Sequence, residues 1–281
     1  MPSEIAGPLL MIGAMACFVL LDAILKYLVA RHSGLYLSWV RCLVQVLLVA
    51  AFVPVFTGAP ALKTAHPWLQ VARGCCLALT SVLMSVASRW MPLSDIYVIA
   101  FAAPLIAAMI AIPILQERPT RLQWLLIAAG FAGVLIALNP TAPMAGLILL
   151  MPLMQAAGNA LYHVLTRLCA RTDRPPAQLF HSALAATAVL TVTLPWTYTS
   201  MTAFEWALLS AGGALVTFGH YLLVTAFAMA PTARVSPMVY TQLLWATLIG
   251  YLVFGDVPGA ATVLGGAVII TSGILLIRSR G

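Results

Sequence analysis

Apolar stretches of about 18 or more residues recur along the whole chain, separated by short segments that contain proline, glycine or charge. A stretch of that length crosses the hydrocarbon core of a bilayer as one helix. The strict alternation that a membrane β-barrel needs is not seen in these stretches. The pattern therefore predicts an all-α polytopic membrane protein. Ten helices are predicted, at residues 7–30, 35–56, 68–88, 93–115, 121–139, 144–165, 177–199, 203–229, 233–254 and 260–277.

The composition agrees with a bilayer as the solvent. Hydrophobic residues make up 63% of the 281 residues and charged residues only 7%, whereas an ordinary soluble domain has roughly 25% charged residues. A soluble protein could not cover so much apolar surface with so few polar groups. The first apolar stretch is too long for the core of a signal peptide, so we expect it to be retained as the first membrane helix.

The distribution of lysine and arginine predicts the orientation of the chain. If the N-terminus is cytoplasmic, most basic residues of the connections lie inside, as the positive-inside rule requires. Both termini are then cytoplasmic. The net charge of +7 is explained by basic inner loops facing anionic lipid and predicts no nucleic-acid partner. The inside set is Lys63, Arg118, Arg121, Arg167, Arg171, Arg174, Arg234, Arg278 and Arg280, against Arg31 and Arg89 outside.

The chain contains a repeat with an offset of 139 residues. Pro92 and Pro119 of the first half match Pro231 and Pro258 of the second. Near an offset of 140, Arg31 matches Arg171. The halves are residues 1–140 and 141–281, with five predicted helices each. Because five is odd, the second half must enter the membrane from the opposite side, which is typical of secondary transporters.

Several short motifs resemble those of the EamA family, which belongs to the drug/metabolite transporter superfamily. They are Pro92-Leu93-Ser94-Asp95, Ile99-Ala100-Phe101-Ala102-Ala103-Pro104-Leu105, Glu117-Arg118 and Gly130-Phe131-Ala132-Gly133-Val134-Leu135. The second half departs from the pattern, with Leu243 in place of the counterpart of Pro104 and Asp256 in place of glutamate. The resemblance implies ten membrane helices and movement of amino acids, nucleosides, vitamins or related metabolites across the bacterial inner membrane, in either direction.

Polar residues within the spans are candidates for function because they are costly in hydrocarbon. In the sixth span Gln155, Asn159 and His163 recur every four residues, which places them on one helical face. They either hydrogen-bond to a neighbouring helix or line a cavity, and we favour the cavity. His163 and His220 are the candidates for proton coupling, because histidine titrates near neutral pH. His220 and Tyr221 of the eighth span, and Phe18 of the first span, are further candidates for contact with the substrate.

The first span carries Phe18, Asp22 and Lys26 at intervals of four residues. Asp22 and Lys26 are expected to form a local ion pair, with contact to a substrate as the alternative role of Asp22. Arg41 and Arg73 lie near predicted helix ends, so we expect their charges to reach the membrane surface.

Aromatic residues of the fourth and ninth spans form a second candidate set. Phe101 matches Tyr240 at the offset of 139, which predicts two walls of a shared pocket. Tyr97 and Trp245 lie nearby in the same spans and would add stacking surface for a flat or amphipathic solute. Ordinary packing between helices is the alternative for each of these rings.

The motifs of other functions are missing. The chain lacks a phosphate-binding G-x-x-x-x-G-K-[ST] loop, the spacing of a metal site and a paired-carboxylate cleft, so neither cofactor nor metal is predicted. We therefore predict a secondary carrier of amino acids or related heteroaromatic compounds, with export preferred, acting as a monomer or weak homodimer. An uptake carrier of the same fold, an intramembrane enzyme acting on lipid-linked substrates, and a channel or sensor are the alternatives.

Overall fold

The computed structural model describes residues 3–57, 59–103, 105–106, 109–110, 120–138, 147–169, 172–229 and 236–278. Every regular element in this part of the chain is helical. The longer helices are α1 (Ser3–Val29), α2 (Gly34–Thr57), α3 (Pro67–Ser88), α4 (Leu93–Ala100), α5 (Arg121–Leu138), α6 (Leu147–Cys169), α7 (Pro175–Thr191), α8 (Ala203–Met229), α9 (Thr241–Ile249) and α10 (Ala260–Arg278). Short helical turns lie at Ala59–Leu62, Leu194–Thr197, Ser236–Tyr240 and Gly250–Phe254.

Four segments of the described chain are long and apolar enough to cross a membrane: Ala6–Val29, Gly34–Val53, Pro67–Ser88 and Ala203–Leu223. Shorter apolar helices cover Arg121–Ala137, Met238–Phe254 and Ala260–Leu275. The described ends of α2, α3 and α5 lie within one residue of the predicted positions, whereas α4 ends at Ala100, α7 ends at Thr191 and α9 begins at Thr241, inside the predicted spans 93–115, 177–199 and 233–254. The helical, polytopic class is confirmed.

Proline and capping residues explain where several helices begin. Proline occupies the first position of α3 (Pro67) and of α7 (Pro175), where its missing N–H breaks no hydrogen bond. Before α8, the backbone N–H of Thr202 donates to Glu205 at 2.8 Å, and the N–H of Glu205 donates to the Thr202 hydroxyl at 3.3 Å. This reciprocal pair is a capping box, and it explains a carboxylate at the start of an apolar helix.

The fourth and ninth spans are interrupted at equivalent positions. Helix α4 ends at Ala100, with Phe101 as its C-cap, three residues before Pro104, which lies outside the described residues. In the ninth span a 3₁₀ turn ends at Tyr240, and α9 then begins at Thr241. Phe101 and Tyr240 are 139 residues apart. The two interruptions are therefore separated by the offset of 139 residues found in the sequence.

The helices pack in pairs that recur in both halves. Helix α1 packs on α8 as α3 packs on α6, and α2 packs on α8 as α3 packs on α7. Helix α1 contacts α9 as α6 contacts α4, while α2–α7, α4–α9 and α5–α10 pair across the halves. Small residues permit two matching crossings: a Cβ on Gly74 would lie 2.4 Å from Ala185, and one on Gly213 would lie 2.4 Å from Val44.

Polar contacts join the connections of the two halves at opposite ends of the bundle. At one end, His32 of the α1–α2 connection lies 2.7 Å from the hydroxyl of Thr199, between α7 and α8. At the other end, the α2–α3 connection meets the α6–α7 connection, where the backbone N–H of Ala65 donates to Asp173 at 2.8 Å. The α1–α2 and α7–α8 connections therefore share one end, and the α2–α3 and α6–α7 connections share the other.

Candidate functional site

A cavity of about 120 Å³ lies between α1, α2, α3 and α6. Its polar groups are a carboxylate, a guanidinium, two amides and two hydroxyls. Three aliphatic side chains complete the wall, so the cavity could hold a solute with both charged and apolar parts. The lining residues are Asp22, Leu25, Arg41, Leu77, Thr80, Ser81, Met84, Gln155 and Asn159.

Asp22 is connected to the interrupted helices by hydrogen bonds. The hydroxyl of Tyr97 in α4 donates to the Asp22 carboxylate, and the amide of Gln242 in α9 donates to the Tyr97 oxygen at 3.4 Å. Tyr97 is buried behind the cavity wall. These two hydrogen bonds hold one oxygen of Asp22 in place and join α1, α4 and α9 at the cavity.

The predicted ion pair between Asp22 and Lys26 is wrong. The ammonium of Lys26 instead pairs with Asp256, at the start of the α9–α10 connection, and donates to the carbonyl of Met91 at 3.4 Å. A spacing of four residues makes the local pair possible, but a carboxylate from the second half reaches Lys26 in the folded chain. Lys26 therefore joins α1 to the α3–α4 and α9–α10 connections beyond the cavity.

Arg41 lies in the cavity wall, so the prediction that its charge reaches the membrane surface is wrong. Its side chain is only 5% exposed. The Nε atom is fully buried and has no hydrogen-bond acceptor within the described chain; Nη2 approaches the Cys42 sulfur at 3.6 Å. Gln45 lies one turn further along α2, and its buried Oε1 also lacks a donor among the described residues. The two side chains therefore do not satisfy each other.

Arg73 is also buried, at 1% exposure, which contradicts the same prediction for this residue. In contrast to Arg41, it is well satisfied. Its Nε donates to Thr166 at 3.0 Å, Nη2 to the Tyr162 hydroxyl at 3.0 Å, and Nη1 to the Gln178 carbonyl at 3.2 Å. Nη1 also donates to the Gln70 side chain. Arg73 therefore holds α3, α6 and α7 together.

Asp173 joins the α6–α7 connection to the α2–α3 connection. Its carboxylate accepts hydrogen bonds from the Ala65 backbone, the Thr64 hydroxyl and, at 2.7 Å, the Gln70 amide. Burial acts to raise the pKa of Asp173, but these donors outweigh it and lower the pKa from 3.8 to about 2. The group is therefore ionised throughout the physiological range.

Gln155, Asn159 and His163, the polar residues on one face of α6, do not all reach the cavity. Gln155 and Asn159 line the cavity, and the buried Oε1 of Gln155 meets no donor in the described chain. His163, one turn further, does not border this cavity; its side chain is exposed, and its ring lies 5.9 Å from that of Tyr162. Two of the three predicted residues thus come together at the site.

The predicted aromatic walls are packed against each other. The rings of Phe101 and Tyr240 are buried and meet edge to face, with their centroids 5.2 Å apart. Neither ring borders the cavity. Trp245 also lies away from it and packs against α1 and the neighbouring core. These residues connect the halves of the molecule behind the site.

The eighth span contributes less to the cavity than predicted. The ring of His220 lies 4.9 Å from that of Phe18, and its Nδ1 contacts the Val216 carbonyl at 2.8 Å. Neither His220 nor Phe18 borders the cavity. Tyr221 is 64% exposed and stacks on Phe218, and it does not border this cavity either.

Three polar wall residues were not predicted from the sequence. Thr80 and Ser81 resemble the hydroxyl residues that membrane helices commonly carry, and nothing in α3 distinguishes them. For Arg41 a signal was available, because its repeat partner His181 is also polar. Among the described residues, no three His, Cys, Asp or Glu side chains cluster as metal ligands would.

Comparison with known proteins agrees with this architecture. Residues 5–139 match the EamA-like transporter family. The first half of the chain is therefore EamA-like. A crystal structure of another protein superposes on this chain with a TM-score of 0.66 and 17% identity, covering 99% of each chain, which shows a shared fold.

Curated relatives of this protein are named as transporters. It is 26% identical to an S-adenosylmethionine uptake transporter of Rickettsia prowazekii, over 92% of this chain and 88% of the relative. It is 25% identical to a riboflavin transporter of Rhizobium johnstonii, over 79% and 74%, and 26% identical to a pseudopaline exporter of Pseudomonas aeruginosa, over 98% and 97%. The chain is a multi-pass membrane protein of a small-molecule transporter family.

Proposed function

We propose that this protein is a secondary carrier that moves amino acids or related metabolites across the bacterial inner membrane. Residues 1–140 and 141–281 form two five-helix repeats of opposite orientation, and the ten spans leave both termini in the cytoplasm. The solute binds in the cavity between α1, α2, α3 and α6, and rocking of the repeats exposes it to each side in turn. The observation that carries this proposal is a polar, charged cavity bordered by four packed apolar helices.

The helix pairs support the repeat. If each helix of the first half corresponds to the helix five places later, the pair α1–α8 becomes α6–α3, α2–α8 becomes α7–α3, and α1–α9 becomes α6–α4. All of these pairs are packed. The pairs α2–α7, α4–α9 and α5–α10 map onto themselves, as pairs on a twofold axis do. The contact of Phe101 with Tyr240, between equivalent residues, also fits such an axis.

The ends of the bundle support the opposite orientation of the repeats. If the halves ran the same way, the α1–α2 connection would lie at the same end as its counterpart, the α6–α7 connection. It instead contacts the α7–α8 segment through His32 and Thr199. The α6–α7 connection contacts the α2–α3 segment through Asp173 and Ala65. Both contacts are those of an inverted pair.

A carrier fits the polar groups better than the alternatives do. A channel needs a continuous polar lining, but the cavity is bounded by Leu25, Leu77 and Met84. An enzyme acting on lipid-linked substrates would need reactive groups at one headgroup plane, whereas Asp22 and Arg41 lie between packed helices. The names of the relatives in three substrate groups also support a carrier rather than an enzyme.

The relatives support uptake as well as export. Full-length similarity to an S-adenosylmethionine uptake transporter favours uptake of a metabolite with an amino-acid part. Similarity over nearly the whole chain to a pseudopaline exporter favours export as the second candidate. Because alternating access is reversible, the gradients of the solute and of any coupling ion set the net direction.

Counterflow in proteoliposomes tests the carrier directly. Vesicles preloaded with unlabelled S-adenosylmethionine, riboflavin or one of the common amino acids should transiently accumulate the same labelled compound, because a carrier exchanges solute molecule for solute molecule. Folded protein that supports no saturable exchange with any compound of this panel would contradict the proposal. Net solute flux that is insensitive to an imposed proton gradient would contradict proton coupling through His163 or His220.

A further inference from the structure

We propose that the cavity recognises the α-amino-acid group of its solute, with Asp22 binding the ammonium and Arg41 binding the carboxylate. This inference rests on the proposed carrier function and names the part of the solute that the site reads. The solute class is any metabolite that carries a free α-ammonium and a free α-carboxylate on one carbon.

The two opposite charges border one cavity without forming an ion pair. Within the described part of the chain, the ion pairs are Lys26–Asp256 and the contacts of Arg31 and His32 with Glu205. Asp22 and Arg41 form none, although both side chains border the same cavity. Two opposite charges that border one cavity without pairing suit a ligand that itself carries both charges.

The environment of Arg41 points to a ligand rather than to a structural role. A buried charge without partners is strongly destabilising, and the structural arginine of this bundle, Arg73, donates to four protein groups. Arg41 is nearly as buried, and within the described part of the chain the contact of its guanidinium is with the Cys42 sulfur. Its planar fork of donors suits a carboxylate, which accepts two parallel hydrogen bonds.

The Asp22 carboxylate is available to bind a cation. Tyr97 donates to one oxygen, Oδ2, and the carboxylate has no cationic partner among the described residues. Lys26, the nearest candidate on the same helix face, is held by Asp256. An ammonium with three donors could therefore reach the carboxylate without displacing a protein cation.

The rest of the wall suits the remainder of such a solute. The buried Oε1 of Gln155, which meets no donor in the described chain, can accept a further hydrogen bond from the ammonium. Leu25, Leu77 and Met84 offer contact for an apolar side chain. A zwitterion would pair with both charges of the wall, the Asp22 carboxylate and the Arg41 guanidinium. A free anion or a free cation would leave one of these two charges unpaired.

The experiment compares ligands that differ by one charged group. Thermal stabilisation of the purified protein is measured with the common L-amino acids and S-adenosylmethionine. For each compound that stabilises the protein, its methyl ester and its α-keto acid are tested alongside. The wild-type protein should bind the parent compound at least tenfold more tightly than either analogue, because each analogue leaves one wall charge unpaired. Equal binding of parent, ester and keto acid would overturn the inference.

Two variants assign each charge to its partner. Arg41→Gln should abolish the preference for the parent compound over its ester and keep the preference over the keto acid. Asp22→Asn should do the reverse. A merely structural role would weaken all three ligands together, and that result would overturn the assignment. Arg31→Gln and Asp95→Asn are the matched controls, because Arg31 is exposed and pairs with Glu205 while Asp95 accepts from Thr262; both should keep both preferences.

The outcome also separates this inference from the carrier itself. If folded protein exchanges riboflavin or another compound without an α-amino-acid group, and no α-amino acid binds, the inference is overturned and the carrier function stands. If no compound exchanges at all, both are overturned. The wild-type comparison with the ester and the keto acid remains decisive if either cavity variant fails to fold.

Discussion

At the scale of single residues, buried polar groups divide into those that hold the fold and those that border the cavity. Asp173 and Arg73 belong to the first group, because each is surrounded by protein donors or acceptors. Arg41 and Gln155 belong to the second, because each has a fully buried polar atom without a partner in the described chain. Satisfied groups contribute stability, and a solute in the cavity could satisfy the unpaired atoms of Arg41 and Gln155. Gln45, Gln178 and Trp245 also bury a polar atom without a partner in the described chain, but they do not border the cavity.

Replacing Asp173 tests the first group. Asp173→Asn removes the charge that accepts from Ala65, Thr64 and Gln70, so we expect a loss of about 1–3 kcal/mol of stability. The pKa of Asp173 is lowered from 3.8 to about 2, so its contribution is complete above about pH 4 and is lost as the pH falls towards 2. Thermal unfolding in detergent should show a constant gap between wild type and variant from pH 7 to 5, closing below pH 4.

The exposed neighbour Arg174 provides the control, since Arg174→Gln changes one charge in the same connection. It should leave the unfolding midpoint close to that of wild type at every pH. A gap for Asp173→Asn that persists unchanged down to pH 2 would show that the carboxylate does not stabilise the folded state through its ionised form.

Some residues of the site could be predicted from the sequence and others could not. Asp22, Gln155 and Asn159 were predicted because polar groups inside an apolar helix need a partner or a cavity. Arg41 lies seven residues after the start of α2, about 10 Å along the helix, so sequence alone allowed it to reach the surface. The packing of α1, α3 and α6 over it decided otherwise, and such long-range packing leaves no local pattern.

At the scale of elements, small residues set how closely helices approach. Helices α5 and α10 meet at Gly133 and Gly265, where a Cβ on Gly265 would lie 2.6 Å from the Gly133 carbonyl and 2.7 Å from Ala137. Backbone atoms on both sides cannot move aside. Close approach through glycine is a common basis for helix association in membranes.

Gly265→Ala should therefore separate α5 from α10 and destabilise the protein by about 1–3 kcal/mol, as overpacking does. Gly259→Ala is the matched control, because a Cβ there would meet only Thr262 at 3.9 Å. The thermal midpoint should fall for the first variant and stay near that of wild type for the second. Equal midpoints for Gly265→Ala and wild type would contradict the close contact of the two helices.

The boundaries of several elements were predictable, because proline, glycine and charge mark the ends of helices: α2, α3 and α5 agree with the predicted spans to within one residue. The interruptions also have a sequence signal. The fourth span breaks at Phe101, three residues before Pro104, and the turn that precedes α9 contains Pro237, and proline disrupts a helix at and before its own position. The aromatic pair was predicted as pocket walls, whereas the rings of Phe101 and Tyr240 pack on each other beside these breaks.

At the scale of the whole molecule, the proposed repeats meet in contacts that lie on either side of the cavity. Beyond it, Lys26 ties α1 to Asp256 in the α9–α10 connection. At the opposite end, Asp173 ties the α6–α7 connection to the α2–α3 connection. If the halves rock against each other, the contact between Lys26 and Asp256 must open during each cycle. This ion pair would then act as one of the two gates that alternating access requires.

Locking that gate is the most direct test of the account. Lys26→Cys and Asp256→Cys are combined in a Cys75→Ser background, because Cys75 is the exposed native thiol, and joined by a short, reducible bifunctional reagent. Counterflow should stop on cross-linking and return on reduction, while the single-cysteine variants treated alike keep their activity. Exchange that continues at the unlinked rate in fully cross-linked protein would contradict alternating access between two rocking repeats.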